Sequence, residues 1–309
     1  MKKIIYDCDT GIDDALAIIL ALKSDAISVE AITCVFGNSP IEKTTLNTLR
    51  ILDYFKKDIP VAKGEGKPLI YPPIDYSRAI KAHGVDGLGD SKILPLSSLK
   101  NYETDATDLI LKKIKSGVRI LIATGALTNI AKAFEKDMIT MNLLDEIIIM
   151  GGVINEAGNI DRLSEANFYN DPHAADFVLQ QKVKKILIPL NVTHKVIFTI
   201  KDKELLPDNK TGNLIKSIIE HYQKFYINNS KFQGCPLHDP LAMGYAIDPT
   251  LLKLTPMNLK VETVGKYTRG VCVPELREKM ITKMNFNVDV ALEVNDKRFL
   301  KYFIKTISQ

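Results

Sequence analysis

The sequence predicts an α/β protein with a single domain over residues 1–309, built on a mostly parallel central sheet flanked by helices. Three observations predict it. Short apolar runs rich in β-branched residues alternate with helix-period patterns along most of the chain, as in sheets covered on both faces. No internal repeat, low-complexity tract or clear linker interrupts the 309 residues. The chemically suggestive residues fall just after predicted strands, where open parallel sheets bind ligands.

The elements follow in order. Residues 3–6 read as a strand, and residues 13–22 as a helix with Ala15, Leu16, Ile18, Ile19 and Leu22 on its apolar side. Residues 29–35 form a second strand, 41–55 a helix and 59–62 a short third strand. Residues 118–123 are a strand feeding a helix from Leu127. Two further strands, 146–150 and 185–189, enclose a helix over 172–181. A long helix spans 211–229, and another follows His238. Residues 254–264 and 281–292 are extended and suggest a hairpin-like addition, and 295–307 form a closing helix. The longest irregular stretch, 64–101, is rich in Pro, Gly and Asp, and a loop of that length inside a compact domain points to function.

Composition excludes several classes. Apolar residues make up 46% and charged residues 25%, ample for a soluble core. The formal net charge of +4 is dispersed over separated lysine pairs, unlike the concentrated basic face of a nucleic-acid binder. The four cysteines, Cys8, Cys34, Cys235 and Cys272, have no zinc-ligand spacing, and Cys8 and Cys34 read as buried inert thiols. There is no signal-peptide apolar stretch of about 7–15 residues and no apolar run of about 18, so no membrane partner is expected and the cytoplasm is the expected location.

The sharpest feature is the run Asp7-Cys8-Asp9-Thr10-Gly11-Ile12-Asp13-Asp14. Four carboxylates within eight residues at a strand end repel one another unless a counter-charge is present. Hard oxygen donors suit Ca²⁺ or Mg²⁺. Gly11 permits a tight turn, and Asp13 and Asp14 open a helix whose dipole favours anions. A helix cap would explain one of these aspartates but not four. Far downstream, His238-Asp239-Pro240 taken alone reads as a helix start, with Asp239 as cap and Pro240 at the first helical position.

Read together, the two segments resemble the inosine-uridine preferring nucleoside hydrolase family. The first looks like the family's DxDxGxDDA signature and the second like its distal metal-and-acid motif. Also family-like are 82–88 with His83, 124–129, Met150-Gly151-Gly152 and 158–172, which together carry the match to about residue 250. The resemblance implies the Rossmann-like fold of that family and a Ca²⁺ held by Asp9, Asp14, the Thr124 carbonyl and Asp239. It implies that Asp13, Asn38, Asn159, Glu165 and Asn167 bind the sugar, with Met150 beside them, and that the ribose hydroxyls and a water complete the shell. Vicinal hydroxyls chelate a hard cation and suit carboxylate and amide partners.

The implied reaction is hydrolysis of the N-glycosidic bond of ribonucleosides, with Asp9 as general base and His238 as the candidate acid for the leaving base. His83 would close over the base. Tyr222 and Tyr226, four apart on one helix face, either pack the core or reach the base. His173, His194 and His221 have no evident role. The chain has no tryptophan, and Ala166 stands where some relatives carry a bulky aromatic, a role that Phe168 could take. The His-Asp-Pro motif favours a pyrimidine or inosine-uridine preference, and the family implies a homodimer or homotetramer. Two rivals are weaker. A haloacid-dehalogenase-like phosphatase leaves Asp13-Asp14 unexplained, and a non-catalytic nucleoside- or Ca²⁺-binding protein would be expected to lack Asp9 or His238.

Overall fold

The computed structural model describes residues 1–94, 97, 102–281 and 285–309. The end of the expected irregular stretch 64–101 and residues 282–284 of the expected extended segment lie outside the described residues. In chain order the strands are β1 (Lys2–Cys8), β2 (Ile27–Cys34), β3 (Val61–Lys63), β4 (Ile120–Ala123), β5 (Glu146–Met150) and β6 (Lys184–Ile188). They continue with β7 (Ile197–Thr199), β8 (Gly234–Pro236), β9 (Leu252–Met257), β10 (Leu259–Val261), β11 (Cys272–Pro274) and β12 (Val288–Val294).

Eight strands form one sheet in the order β3-β2-β1-β4-β5-β6-β12-β9. Every pairing is parallel except β12 with the edge strand β9. The expected mostly parallel sheet flanked by helices is therefore present. From β1 the chain winds outward through β2 and β3, then returns to β4 and winds the other way. The switch point of the sheet thus lies between β1 and β4, where a crevice opens at the strands' carboxyl ends. Asp7 of β1 is paired with Ala123 of β4, so the loop starting at Asp9 and the turn starting at Thr124 emerge side by side.

Period-two alternation splits each central strand between two cores. Ile4, Tyr6 and Cys8 join one apolar cluster with Leu16, Ile19 and Leu241, while Ile5 joins the other with Leu121, Ile147 and Phe134. All four cysteines are free and buried. No helix among the described residues is long and apolar enough to cross a membrane.

The structure differs from the sequence reading in several places. The stretch read as irregular contains the helix Ser77–His83, and the helix Ala106–Lys115 follows it without having been read from the sequence. The third strand starts at Val61 rather than residue 59, because Pro60 has no amide hydrogen to give; its carbonyl accepts from Ile32 N at 2.9 Å. The extended stretch 254–264 splits. β9 pairs with β12, as the hairpin expectation required, but β10 turns away to pair with β11. The short antiparallel pair β7–β8 was not anticipated, since three-residue strands carry almost no periodic signal.

Candidate active site

The helix Ile12–Lys23 starts from Gly11, whose N–H donates to Asp14 Oδ2 at 2.9 Å. The cap is therefore made by Asp14, and Asp13 is left to face the crevice. The helix His238–Ile247 likewise starts without a side-chain cap, so Asp239 sits inside its first turn instead of capping it. One ligand oxygen from each of Asp13, Asp14 and Asp239 falls within a span of 4.8 Å, and all three residues are buried. Asp13 Oδ1 has no hydrogen-bond partner, while Asp13 Oδ2 accepts from the Tyr222 hydroxyl at 3.1 Å. Asp14 Oδ1 accepts from Thr124 Oγ1 at 2.8 Å, and Asn38 Nδ2 reaches Asp14 Oδ2 at 3.1 Å.

Asp9 borders this nest. Its Oδ2 accepts from Asn38 N at 2.7 Å and its Oδ1 from Asn38 Nδ2 at 3.2 Å. Asn38 thus bridges Asp9 and Asp14. Asp7, the first of the four aspartates, is separate: it points among Thr33 Oγ1 at 2.5 Å and Asn129 Nδ2 at 2.8 Å and ties β1 to its neighbours.

Burial, followed by mutual repulsion, pushes the Asp9 and Asp239 carboxyls well above their ordinary range. Burial also raises Asp13 to about 6, and burial with the Asp13 charge raises Asp14 to about 6. Such a cluster stays ionised only beside a cation. The unpartnered Asp13 oxygen and the all-oxygen donor set fit a hard divalent ion.

The opposite wall comes from the loops after β4 and β5. Asn167 Nδ2 donates to the Thr124 carbonyl at 2.9 Å and to the Met150 carbonyl at 3.2 Å. Glu165 caps its own short helix, accepting from Asn167 N and Phe168 N, and also takes the Gly152 N–H at 2.8 Å. Burial raises its carboxyl to about 7. Asn159 Oδ1 accepts from Ala166 N at 2.9 Å. The expected sugar-side residues Asp13, Asn38, Met150, Asn159, Glu165 and Asn167 all line one cleft. Phe168 does not line it. It is fully buried beneath Gly151 and Gly152, because it points to the sheet side of the helix Ala166–Asn170.

Another wall of the cleft is aromatic. Tyr222 and Tyr226 both line it, their rings edge to face with centroids 4.9 Å apart. The Tyr226 hydroxyl lies 3.0 Å from His238 Nε2, and His238 Nδ1 lies 2.8 Å from Thr193 Oγ1. Burial pulls the His238 imidazolium well below its usual range, so the ring rests neutral between two hydroxyls. His83 Nδ1 accepts from Ile12 N at 3.1 Å, which makes that ring neutral as well; its centroid is 5.1 Å from that of Tyr222.

Of the histidines without an assigned role, His194 joins the cluster, its ring centroid 5.5 Å from that of His238. His173 packs on Tyr71, and His221 Nε2 lies 3.0 Å from the Lys81 carbonyl. Arg78, Phe225 and Ile74 also line the cleft and were not anticipated. Ile74 and Arg78 lie just before and on the helix Ser77–His83, and Phe225 lies on the long helix, where only the fold brings them to the site.

Acidic oxygens, side-chain amides and two tyrosine hydroxyls, one of them bonded to Asp13 itself, line a single cleft whose acidic triad could hold a cation. The chain belongs to the inosine-uridine preferring nucleoside hydrolase family, whose sequence profile matches residues 4–301. It is 34% identical to the pyrimidine-specific ribonucleoside hydrolase of Citrobacter koseri over 96% of this chain and 95% of that one. A Schizosaccharomyces pombe protein of uncharacterised function is 32% identical over 99% of each chain. Among solved structures, the purine-preferring ribonucleoside hydrolase of Gardnerella vaginalis superposes with a TM-score of 0.93 at 32% identity, covering 99% of this chain and 98% of the other. The chain is thus an N-glycosyl hydrolase that takes ribonucleosides, of a metal-dependent family, with an acidic triad able to hold the metal.

Proposed function

We propose that the whole chain, residues 1–309, works as one domain that hydrolyses the N-glycosidic bond of ribonucleosides to ribose and free base, with Ca²⁺ as its ion. The observation that carries the metal assignment is the convergence of Asp13, Asp14 and Asp239 oxygens within 4.8 Å in a buried, all-oxygen nest. Asp9, Asp14, Asp239 and the Thr124 carbonyl would hold the ion, and the free Oδ1 of Asp13 adds a further donor. When bound, the ion neutralises this cluster and acidifies an adjacent water.

Asp9, oriented through both oxygens by Asn38, takes the proton of the attacking water. As the C–N bond opens, positive charge grows on the ribose directly above the buried carboxylates, which stabilise it. Glu165, Asn159 and Asn167 hold the sugar hydroxyls, with the Asn167 amide fixed by two carbonyls. At the base end His238 acts through Tyr226. A neutral imidazole whose Nε2–H donates to the Tyr226 oxygen leaves the Tyr226 O–H to hydrogen-bond the departing base. The proton Asp9 takes from the attacking water balances the one the base finally gains.

The His-Asp-Pro motif supports a pyrimidine or inosine-uridine preference, and family habit supports a homodimer or homotetramer in the cytoplasm. Relatives at similar identity are pyrimidine-specific in one case and purine-preferring in another, so base preference belongs to the aromatic wall of the cleft.

Free ribose released from uridine, cytidine, inosine and adenosine, before and after chelation, tests this reading. Release that disappears on chelation, returns with Ca²⁺ and is absent in Asp9→Ala is the expected result. Turnover by Asp9→Ala close to that of the native protein would rule out the assigned base. Calcium binding with no ribose from any nucleoside would favour a binding protein without turnover.

A further inference from the structure

Heterolysis of a glycosidic bond separates charge: the ribose becomes positive and the base negative. The cleft is acidic at the ribose end, where Asp13, Glu165 and Asp239 line it. A departing base needs the opposite sign at the other end. His83 cannot supply it, because its Nδ1 accepts a backbone N–H. His238 is enclosed between the hydroxyls of Tyr226 and Thr193. Among the described residues, Arg78 is the one lysine or arginine lining the cleft. Arginine keeps its charge at any working pH and presents flat, paired N–H donors.

Arg78 sits on the helix Ser77–His83, and its guanidinium has no hydrogen-bond or ion-pair partner among the described residues. Its acidic neighbour Asp75 is occupied, with both carboxylate oxygens held by Ser77 N and Ser77 Oγ at 2.9 Å. The helix Ser77–His83 packs against the helix Lys210–Asn229, which carries Phe225 and Tyr226, so Arg78 lines the cleft alongside those rings. Ile74, Asp75, Phe225 and Tyr226 line the cleft beside it, and Asp75 turns its oxygens to Ser77 and not to Arg78.

From this arrangement we infer that Arg78 is a base-recognition residue that holds a carbonyl oxygen on the edge of the departing base, and so selects keto-bearing bases over amino-bearing ones. The inference rests on the nucleoside hydrolase reading above. A guanidinium donates only. It therefore favours uracil and hypoxanthine, which offer a carbonyl at the relevant edge, over cytosine and adenine, which offer an amino group there. The contact strengthens as the base gains negative charge, so it acts on the rate of cleavage more than on ground-state binding.

The test is kcat/KM for uridine, cytidine, inosine, adenosine and p-nitrophenyl riboside with the native chain and with Arg78→Gln and Arg78→Lys, all loaded with Ca²⁺. The side chain is exposed, so the variants should fold, and retained p-nitrophenyl riboside turnover confirms it. Arg78→Gln should lower uridine and inosine turnover by about tenfold to a hundredfold, the scale of one lost charge-assisted hydrogen bond. Cytidine, adenosine and p-nitrophenyl riboside should change by less than about threefold, and Arg78→Lys should restore part of the loss. Equal losses on all five substrates, or no loss on uridine and inosine, would overturn the assignment while leaving nucleoside hydrolysis intact. No ribose from any nucleoside with the native chain would overturn both.

Discussion

Stripping the divalent ion from this chain should make its stability depend on pH in a way the loaded form does not share. The groups responsible are Asp13 and Asp14, whose carboxyls burial raises from 3.8 to about 6. For an acid with a raised folded pKa, the native state holds a proton that the unfolded chain has already lost between pH 3.8 and about 6. Unfolding free energy therefore falls as pH rises through that window; the Asp13 and Asp14 part of the penalty is complete above it, and Asp9 and Asp239, raised further, continue the fall to higher pH. A shift of roughly two units corresponds to about 3 kcal/mol for either residue taken singly. Because the Asp13 charge is itself part of what raises Asp14, the pair is worth less than twice that.

The ion binds only the ionised cluster, so its stabilisation should grow over the same interval. Thermal unfolding with saturating Ca²⁺ and with chelator, at pH 5 and pH 7.5, measures this directly. The chelated protein should melt lower at pH 7.5 than at pH 5. The Tm gained on adding Ca²⁺ should be larger at pH 7.5 by about 5–10 °C, taking about 2 °C per kcal/mol for a chain of this size. An increment equal at the two pH values, or larger at pH 5, would refute the argument that buried carboxylates in this nest are what the ion discharges.

Two further outcomes follow from the geometry. Tyr226→Phe removes the hydroxyl 3.0 Å from His238 Nε2, so turnover of uridine and inosine should fall by roughly tenfold while p-nitrophenyl riboside, whose leaving group needs no proton, is cleaved almost as before. Equal losses on both would show that the hydroxyl does not serve the leaving group. Gly152→Ala places a methyl 2.6 Å from Cys272 Sγ at a backbone φ of 68°, and should cost about 1–3 kcal/mol, read as a lower Tm in thermal unfolding.

Much of this protein is decided along the chain itself. The strand-helix alternation is local chemistry, and it made the parallel sheet legible without coordinates. The run from Asp7 to Asp14 carries its own message, because four acids at a strand end need a counter-charge wherever that strand sits. The likeness of the segments around His83, Thr124, Glu165 and His238 to one family was readable for the same reason.

Tertiary structure decided how those acids divide the work. Asp7 leaves the cluster because β1 lies between β2 and β4, where Thr33 and Asn129 bind its carboxylate. Asp13 joins Asp14 and Asp239 because the helices Ile12–Lys23 and His238–Ile247 pack against each other, an encounter more than two hundred residues apart in sequence. Tyr222 and Tyr226, which spacing alone leaves between core and site, are drawn to the cleft by Asp13 and His238. Phe168 goes the other way, into the core.

The last sixty residues, featureless as a motif, insert β12 between β6 and β9 and bring Arg269 to within 3.6 Å of the Tyr71 ring centroid and 4.5 Å of that of Tyr169, bracing the segment that presents Glu165 and Asn167. Periodicity and propensity act between near neighbours, so a sequence displays them. Ligand sets and base-end walls are made by residues that meet only when the sheet closes its order, and their partners are a property of the fold.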